Sequence, residues 1–340
     1  MAALFRSLGL CAGLAALLGC SPQSQTATLS CEHIVIETPS GPLTGIEDMA
    51  TIGSDHVLLS AYNRRDPENS PAGVYKVRVD TNASSWQAIP ALTLPQGALP
   101  HGFAVAAEKG RLAVILRYRD GPPKLALFQA QDTAYIFKRW LTQPNTWKAT
   151  TAYPCNMNDA AFTPDGRIVV SNDRAACSGF AKSMETLLGR SKGSVFALPL
   201  DDDDAPDVLL EDLYFPNGVA IDDTGAAYAA LTRAKAILNT ETRARWTLNS
   251  APDNLFFDTS TQQLWAAAIT SLPAYAAYRA GLYPGTLASH IIRLSPNSGT
   301  LQEYKTKAFS GATAVVTVGD HLILSGAFSD GVAICQTPNA

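Results

Sequence analysis

Apolar residues along this chain come in short, dense runs and rarely at helical spacing. Val57-Leu58-Leu59, Leu112-Ala113-Val114-Ile115 and Ile168-Val169-Val170 are too short for helices and suit strands buried on both faces. Each follows a turn, and before the turn lies another short apolar stretch that opens on polar or glycine residues. Ile46-Glu47-Asp48-Met49-Ala50 leads to His56 through Ser60, Pro100-His101-Gly102-Phe103-Ala104-Val105 to Arg111 through Ile115, and Asn158-Asp159-Ala160-Ala161-Phe162 to Arg167 through Ser171. Three further openings are Asn217-Gly218-Val219-Ala220-Ile221, Asp253-Asn254-Leu255-Phe256-Phe257 and Gly311-Ala312-Thr313-Ala314-Val315-Val316. Pro164-Asp165-Gly166, Asp222-Asp223-Thr224-Gly225 and Gly319-Asp320 supply hairpin chemistry between paired stretches. Units continue through one or two more strands, such as Gly73 to Val77 and Ile291 to Leu294. Ala181 to Gly189 is the best helical candidate and reads as a short insertion.

The openings start at 47, 101, 158, 217, 253 and 311, a recurrence of roughly 40 to 60 residues with about four strands in each repeat. That period predicts an all-β, six-bladed β-propeller. A pair of β-sandwiches also fits the strand content, but would not put a polar cluster at the start of every unit. In a propeller the innermost strands line one channel, so the clusters converge.

Composition narrows the function. The 340 residues are 46% hydrophobic and 16% charged with a net charge of −4, which excludes a disordered chain and offers no basic field for nucleic acid. One apolar run concerns a membrane: Leu8 to Leu18 behind Arg6, too short to span a bilayer and of signal-peptide form. It ends Leu17-Leu18-Gly19-Cys20, which resembles a bacterial lipobox. Residues 1–19 are therefore expected to be a lipoprotein signal, 20–30 a lipidated Cys20 with its tether, and 31–340 the propeller domain. The expected location is exported and lipid-anchored, on the periplasmic side of an outer membrane. The protein would meet the membrane through that anchor alone and act as a monomer. Cys11 leaves with the signal, so Cys31, Cys155, Cys177 and Cys335 remain, an even number in a compartment that permits disulfides. Three pairings are possible. Cys31 with Cys335 would tie the domain's ends, and Cys155 with Cys177 flank one strand pair. No metal-type CxxC spacing is present.

The convergent positions carry Glu47-Asp48, His101, Asn158-Asp159, Asn217 and Asp253-Asn254. Oxygen donors in that number suit calcium, which takes six to eight, better than zinc or iron. Glu47 and Asp253 supply two charges, while Asn158, Asn217 and Asn254 add neutral carbonyl oxygens. Successive strand side chains point oppositely, so Asp48 and Asp159 would reach a second, deeper ion that the Phe103 carbonyl could complete. A lone Asn-Asp pair is more often a turn than a ligand; the shared phase of several clusters is what argues for metal.

Ile46-Glu47-Asp48, Pro100-His101-Gly102, Asn156-Met157-Asn158-Asp159, Phe215-Pro216-Asn217-Gly218 and Asp253-Asn254 followed by Leu264-Trp265 resemble, in order, the motif series of the paraoxonase (serum arylesterase and lactonase) family. The likeness runs from Cys31 to Cys335 and includes Ser183-Met184-Glu185 with Leu188-Gly189, similar to that family's third-blade insertion. It implies a catalytic calcium on Glu47, Asn158, Asn217, Asp253 and Asn254, and a structural calcium on Asp48, Asp159 and the Phe103 carbonyl. It also implies His101 as general base and Cys31–Cys335 as the ring-closing disulfide. Three family histidines are replaced, one near Leu116-Arg117-Tyr118 and two by Arg174 and Ile269.

The expected activity is calcium-dependent hydrolysis of a small-molecule lactone or aryl ester, with His101 or a carboxylate near the ion activating water. The alternatives are a sugar-acid lactonase of gluconolactonase type and a non-catalytic, calcium-stabilised binding propeller at the cell surface. Asp201 to Asp204 reads as a solvated loop, Asn82-Ala83-Ser84 as an unused sequon, and His33, His56, His290 and His321 show no ligand spacing. Tyr275, Tyr278 and Tyr283 are candidates for the pocket mouth.

Overall fold

A computed structural model describes residues 26–141, 154–190, 192–200 and 206–338; the signal segment, Cys20 and Asp201 to Asp204 lie outside them. The chain is almost all β. The strand His56–Ala61 shows why: Val57 and Leu59 enter one apolar cluster while Leu58 enters another, and all three are fully buried. Burial on both faces removes the need for polar alternation, and each such leucine contributes roughly 1.5–3 kcal/mol relative to exposure.

Among the described residues the strands form five sheets and, apart from the two-residue strands Ala27–Thr28 and Gly41–Pro42, group into six antiparallel units of four. The first runs Ile46–Ile52, His56–Ala61, Gly73–Arg78 and Ser85–Pro90; the second Leu99–Ala106, Arg111–Arg117, Lys124–Gln131 and Ala134–Trp140. The third comprises Met157–Phe162, Arg167–Asn172, Gly193–Pro199 and Asp207–Leu213; the fourth Pro216–Ile221, Ala227–Leu231, Ala236–Asn239 and Arg245–Thr247. The fifth holds Ala251–Asp258, Gln263–Ile269, Ala288–Ser295 and Thr300–Ser310. The sixth is Ala314–Val318, His321–Ser325 and Val332–Gln336, completed by the N-terminal strand Cys31–Thr38. The first strands touch in sequence, and that of the sixth unit returns to that of the first. An apolar cluster fills every junction between neighbouring units, including sixth to first. Sheets radiating from a closed cycle of inner strands make a β-propeller arrangement.

Cys31–Thr38 is the seam. Its first half pairs antiparallel with Val332–Gln336, placing Cys31 opposite Cys335, and Val35 to Glu37 pairs parallel with Ser85 to Gln87 of the first unit. The disulfides are Cys31–Cys335 and Cys155–Cys177, so the chain's ends are covalently tied. Ala27–Thr28 adds a parallel edge to Thr300–Ser310.

The inserted helix spans Gly179–Leu188, and Gly189 ends it in the left-handed region. A second helix, Leu272–Arg279, was not anticipated; its alternation of Ala and Tyr lacks a clear apolar stripe, and its start depends on Ser271, whose hydroxyl accepts from the Ala274 amide, and on Pro273 in the first turn. The hairpin glycines Gly166, Gly225 and Gly319 all have positive φ, as their turns require.

Candidate functional site

Five of the six inner strands break their hydrogen-bond ladder, and the breaks fall on the polar openings. The register slips between Ile46 and Asp48, Pro100 and Phe103, Met157 and Ala160, Pro216 and Val219, and Pro252 and Leu255. Bulges re-aim side chains out of the sheet's alternation, and here they turn Glu47, His101, Asn158, Asn217 and Asp253 into one cavity of about 460 Å³. Antiparallel pairing brings the end of each second strand to the same rim. Arg64 follows His56–Ala61, Arg117 ends Arg111–Arg117, Arg174 follows Arg167–Asn172 and Arg233 follows Ala227–Leu231; all four line this cavity. Two glycines permit the close approach of inner strands: a Cβ on Gly102 would overlap Asn158 and Asp159, and one on Gly218 the backbone of Asp253, Asn254 and Leu255.

Every side chain of the expected upper set is buried. Glu47 Oε2 is 2.9 Å from Arg64 Nη2 and its Oε1 3.6 Å from His101 Nδ1. Arg64 Nη2 also donates to His101 Nδ1 at 3.0 Å. Asn217 Nδ2 donates to Asp253 Oδ1, and Asn254 Nδ2 to the Glu47 carbonyl at 2.8 Å. That carbonyl also accepts from Thr313, which takes the place in the sixth unit where Gly311 offers no side chain. Burial, with the Glu47 charge adding to it, holds the Asp253 carboxyl well above the usual carboxylate range. Burial and the nearby Arg117 and Arg64 cations push the His101 imidazole well below its ordinary value, so it stays neutral.

Asp48 and Asp159 face the opposite way, into a second cavity of about 230 Å³ that Phe103 also lines. The doublets therefore point to the two ends of the channel, in strands whose ladders are broken where they sit. Asp48 accepts from the amides of Met49 (2.8 Å) and Phe103 (2.9 Å), and Asp159 from those of Ala160 (2.7 Å) and Val219 (2.8 Å). Burial raises both acids, Asp48 to about 7; the Glu47 charge adds to the rise in both and the Asp48 charge to that of Asp159, while a side-chain hydrogen bond with Asp159 lowers Asp48.

The donor chemistry fits a hard cation. The Oδ1 atoms of Asn158, Asn217 and Asn254 are buried without a hydrogen-bond partner, and their amide nitrogens cannot serve instead. Among the described residues no three His, Cys, Asp or Glu side chains cluster as metal ligands, so any ion here depends on those carboxamides.

Sequence reasoning placed Arg174 only as a replacement for a family histidine, and it missed Arg64, Arg233, Arg279 and Asp173, which lines the cavity beside Arg174. Except for Arg279, their signal was positional, a charged residue at or just beyond the end of successive second strands. Tyr275 lines the cavity as anticipated; Tyr278 bonds Ser329 at 2.9 Å, and Tyr283 packs in the adjoining apolar cluster. His33, His56 and His321 are occupied elsewhere, by the Asp330 carbonyl, Asp55 and Asp320.

Fold and site together define a β-propeller with an oxygen-rich channel. Among solved structures, the chain is similar to the holo PQQ domain of pyranose dehydrogenase from Coprinopsis cinerea at 11% identity, covering 93% of this chain and 99% of that one with a TM-score of 0.56. It is also similar to a candidate gluconolactonase at 15% identity, 92% and 94% coverage and a TM-score of 0.55. The PQQ-bound aldose sugar dehydrogenase of Streptomyces coelicolor follows at 11% identity, 92% and 96% coverage and a TM-score of 0.52. Identities this low bear on the fold alone. No protein-family model matches the chain, and no curated protein matches it either.

Proposed function

We propose that this chain is a lactone or carboxylic-ester hydrolase, a six-bladed propeller of paraoxonase type with calcium in its channel. The observation that carries the reading is the set of three buried, unpartnered Asn carbonyl oxygens beside two buried carboxylates. Glu47, Asn158, Asn217, Asp253 and Asn254 would hold one ion, and Asp48, Asp159 and the Phe103 carbonyl a second. A bound divalent ion supplies a Lewis acid for the carbonyl and its oxyanion.

The chain's own groups do the rest. Arginine has no lone pair, so the Arg64 bond to His101 Nδ1 assigns the proton of the neutral ring to Nε2. Nε2 is buried without a partner, and as a donor it would stabilise charge developing on the substrate oxygen. A carboxylate beside the ion, Glu47 or Asp253, would take the proton of the attacking water. Ile269, Leu272 and Phe328 give the cavity an apolar wall for an acyl or aryl group. Export on a lipidated Cys20, and a monomeric state, belong to the same reading.

The Arg64–Glu47 ion pair favours one rival, a binding propeller whose Glu47 answers to arginine. Calcium titration of chelator-treated protein separates the two, followed by melting temperature and by hydrolysis of phenyl acetate and a lactone panel that includes sugar-acid lactones. Calcium is expected to raise the melting temperature and to switch hydrolysis on. Asn217→Ala and Asp253→Ala should stay folded, lower calcium affinity by roughly 10- to 100-fold and lose hydrolysis. Undiminished turnover after exhaustive chelation would remove the metal from the account, and calcium binding with no turnover would leave a binding module.

A further inference from the structure

The rim above the carboxylates is a ring of guanidinium groups, which neither an ion site nor an apolar acyl pocket needs. Arg64, Arg117, Arg174, Arg233 and Arg279 line the cavity against three acids, Glu47, Asp173 and Asp253. Two of the cations are matched: Arg64 by Glu47 at 2.9 Å and Arg174 by Asp173 at 2.8 Å. Among the described residues Arg117, Arg233 and Arg279 make no ion pair. Arg117 Nε is buried without any hydrogen-bond partner, an arrangement that costs free energy until an acceptor arrives.

These groups are also held in place. Phe215 has a left-handed backbone (φ 56°), a strained conformation for an aromatic residue, and its ring lies 5.4 Å from the Arg174 guanidinium and 5.7 Å from that of Arg233. Arg233 is further fixed by donating to the Thr186 carbonyl at 2.8 Å, and Arg279 rests 5.4 Å from the Phe328 ring centroid. Stacked on rings, the guanidinium groups keep N–H edges free for a bidentate oxyanion.

We propose that the ligand of this cavity carries a carboxylate or phosphate group, received by Arg117, Arg233 and Arg279, while its ester or lactone carbonyl lies over Asn217 and Asp253. The anion subsite stands on the arginines; the second clause rests on the hydrolase reading. The test compares 4-acetoxybenzoate with phenyl acetate as substrates, and measures benzoate binding by calorimetry, in the full protein and in Arg117→Gln and Arg279→Gln. Arg279 is exposed on its helix, so its variant keeps the test valid if Arg117→Gln does not fold. The charged ester is expected to show a KM lower by roughly tenfold or more, an advantage lost in either variant, and benzoate should bind only the unaltered protein. Inorganic phosphate that displaces benzoate extends the subsite to tetrahedral anions, and phosphate that does not confines it to carboxylates. Benzoate that fails to bind, or binds the variants equally, overturns the subsite even if phenyl acetate is hydrolysed. Arginine-dependent benzoate binding without hydrolysis of either ester upholds the subsite and overturns the hydrolase instead.

Discussion

His101 owes its chemistry to the neighbour at its Nδ1. Because Arg64 can only donate, a neutral His101 presents N–H rather than a lone pair to the cavity. A glutamine side chain can present the same kind of donor but cannot act as a base. On the proposed hydrolase reading, His101→Gln is therefore expected to keep turnover within about tenfold of the unaltered protein, whereas a general-base role would cost roughly 10² to 10⁴ in kcat. Steady-state kinetics on phenyl acetate decides between the two. The oxygen donors were readable in the sequence because Glu47, Asn158, Asn217 and Asp253 share a phase in the repeat. Arg64 and Arg117 were not, since an arginine at a strand end looks the same whether it faces solvent or an axis.

The inner strands are the elements on which the site depends. A regular strand would alternate its side chains, sending half of each polar doublet into the apolar clusters; the bulges avoid this by breaking the ladder where the doublets sit. Glycine makes the breaks compatible with close packing. Gly218→Ala would drive a methyl group into the backbone of Asp253 and Asn254. That substitution should lower stability by roughly 1–3 kcal/mol and, on the proposed reading, move Asp253 enough to weaken calcium binding as well. Urea unfolding with and without calcium measures both effects. Strand positions could be read from runs such as Val57 to Leu59, since residues buried on both faces leave a solid apolar signature. The helix Leu272–Arg279 left no such trace, because few of its side chains are buried.

At the scale of the whole molecule, stability follows from closure. Each unit buries its faces only against its neighbours, so opening one junction exposes both halves of the cluster that fills it. The Cys31–Cys335 disulfide, with a sequence separation of 304 residues, fastens the N-terminal strand of the sixth unit to its neighbour Val332–Gln336. Replacing both cysteines by serine is expected to destabilise the protein by roughly 3–5 kcal/mol. The local Cys155–Cys177 pair, separated by 22 residues, should matter less to global unfolding and more to the loop that carries Arg174. Denaturant midpoints for the two double variants give that ranking. The same seam governs the order of events during synthesis. Cys31–Thr38 is among the first strands to be made, yet its antiparallel partner Val332–Gln336 is among the last. That strand must wait, half unpaired, until Val332–Gln336 has been made, so the ring cannot close before nearly all of the described strands have been synthesised.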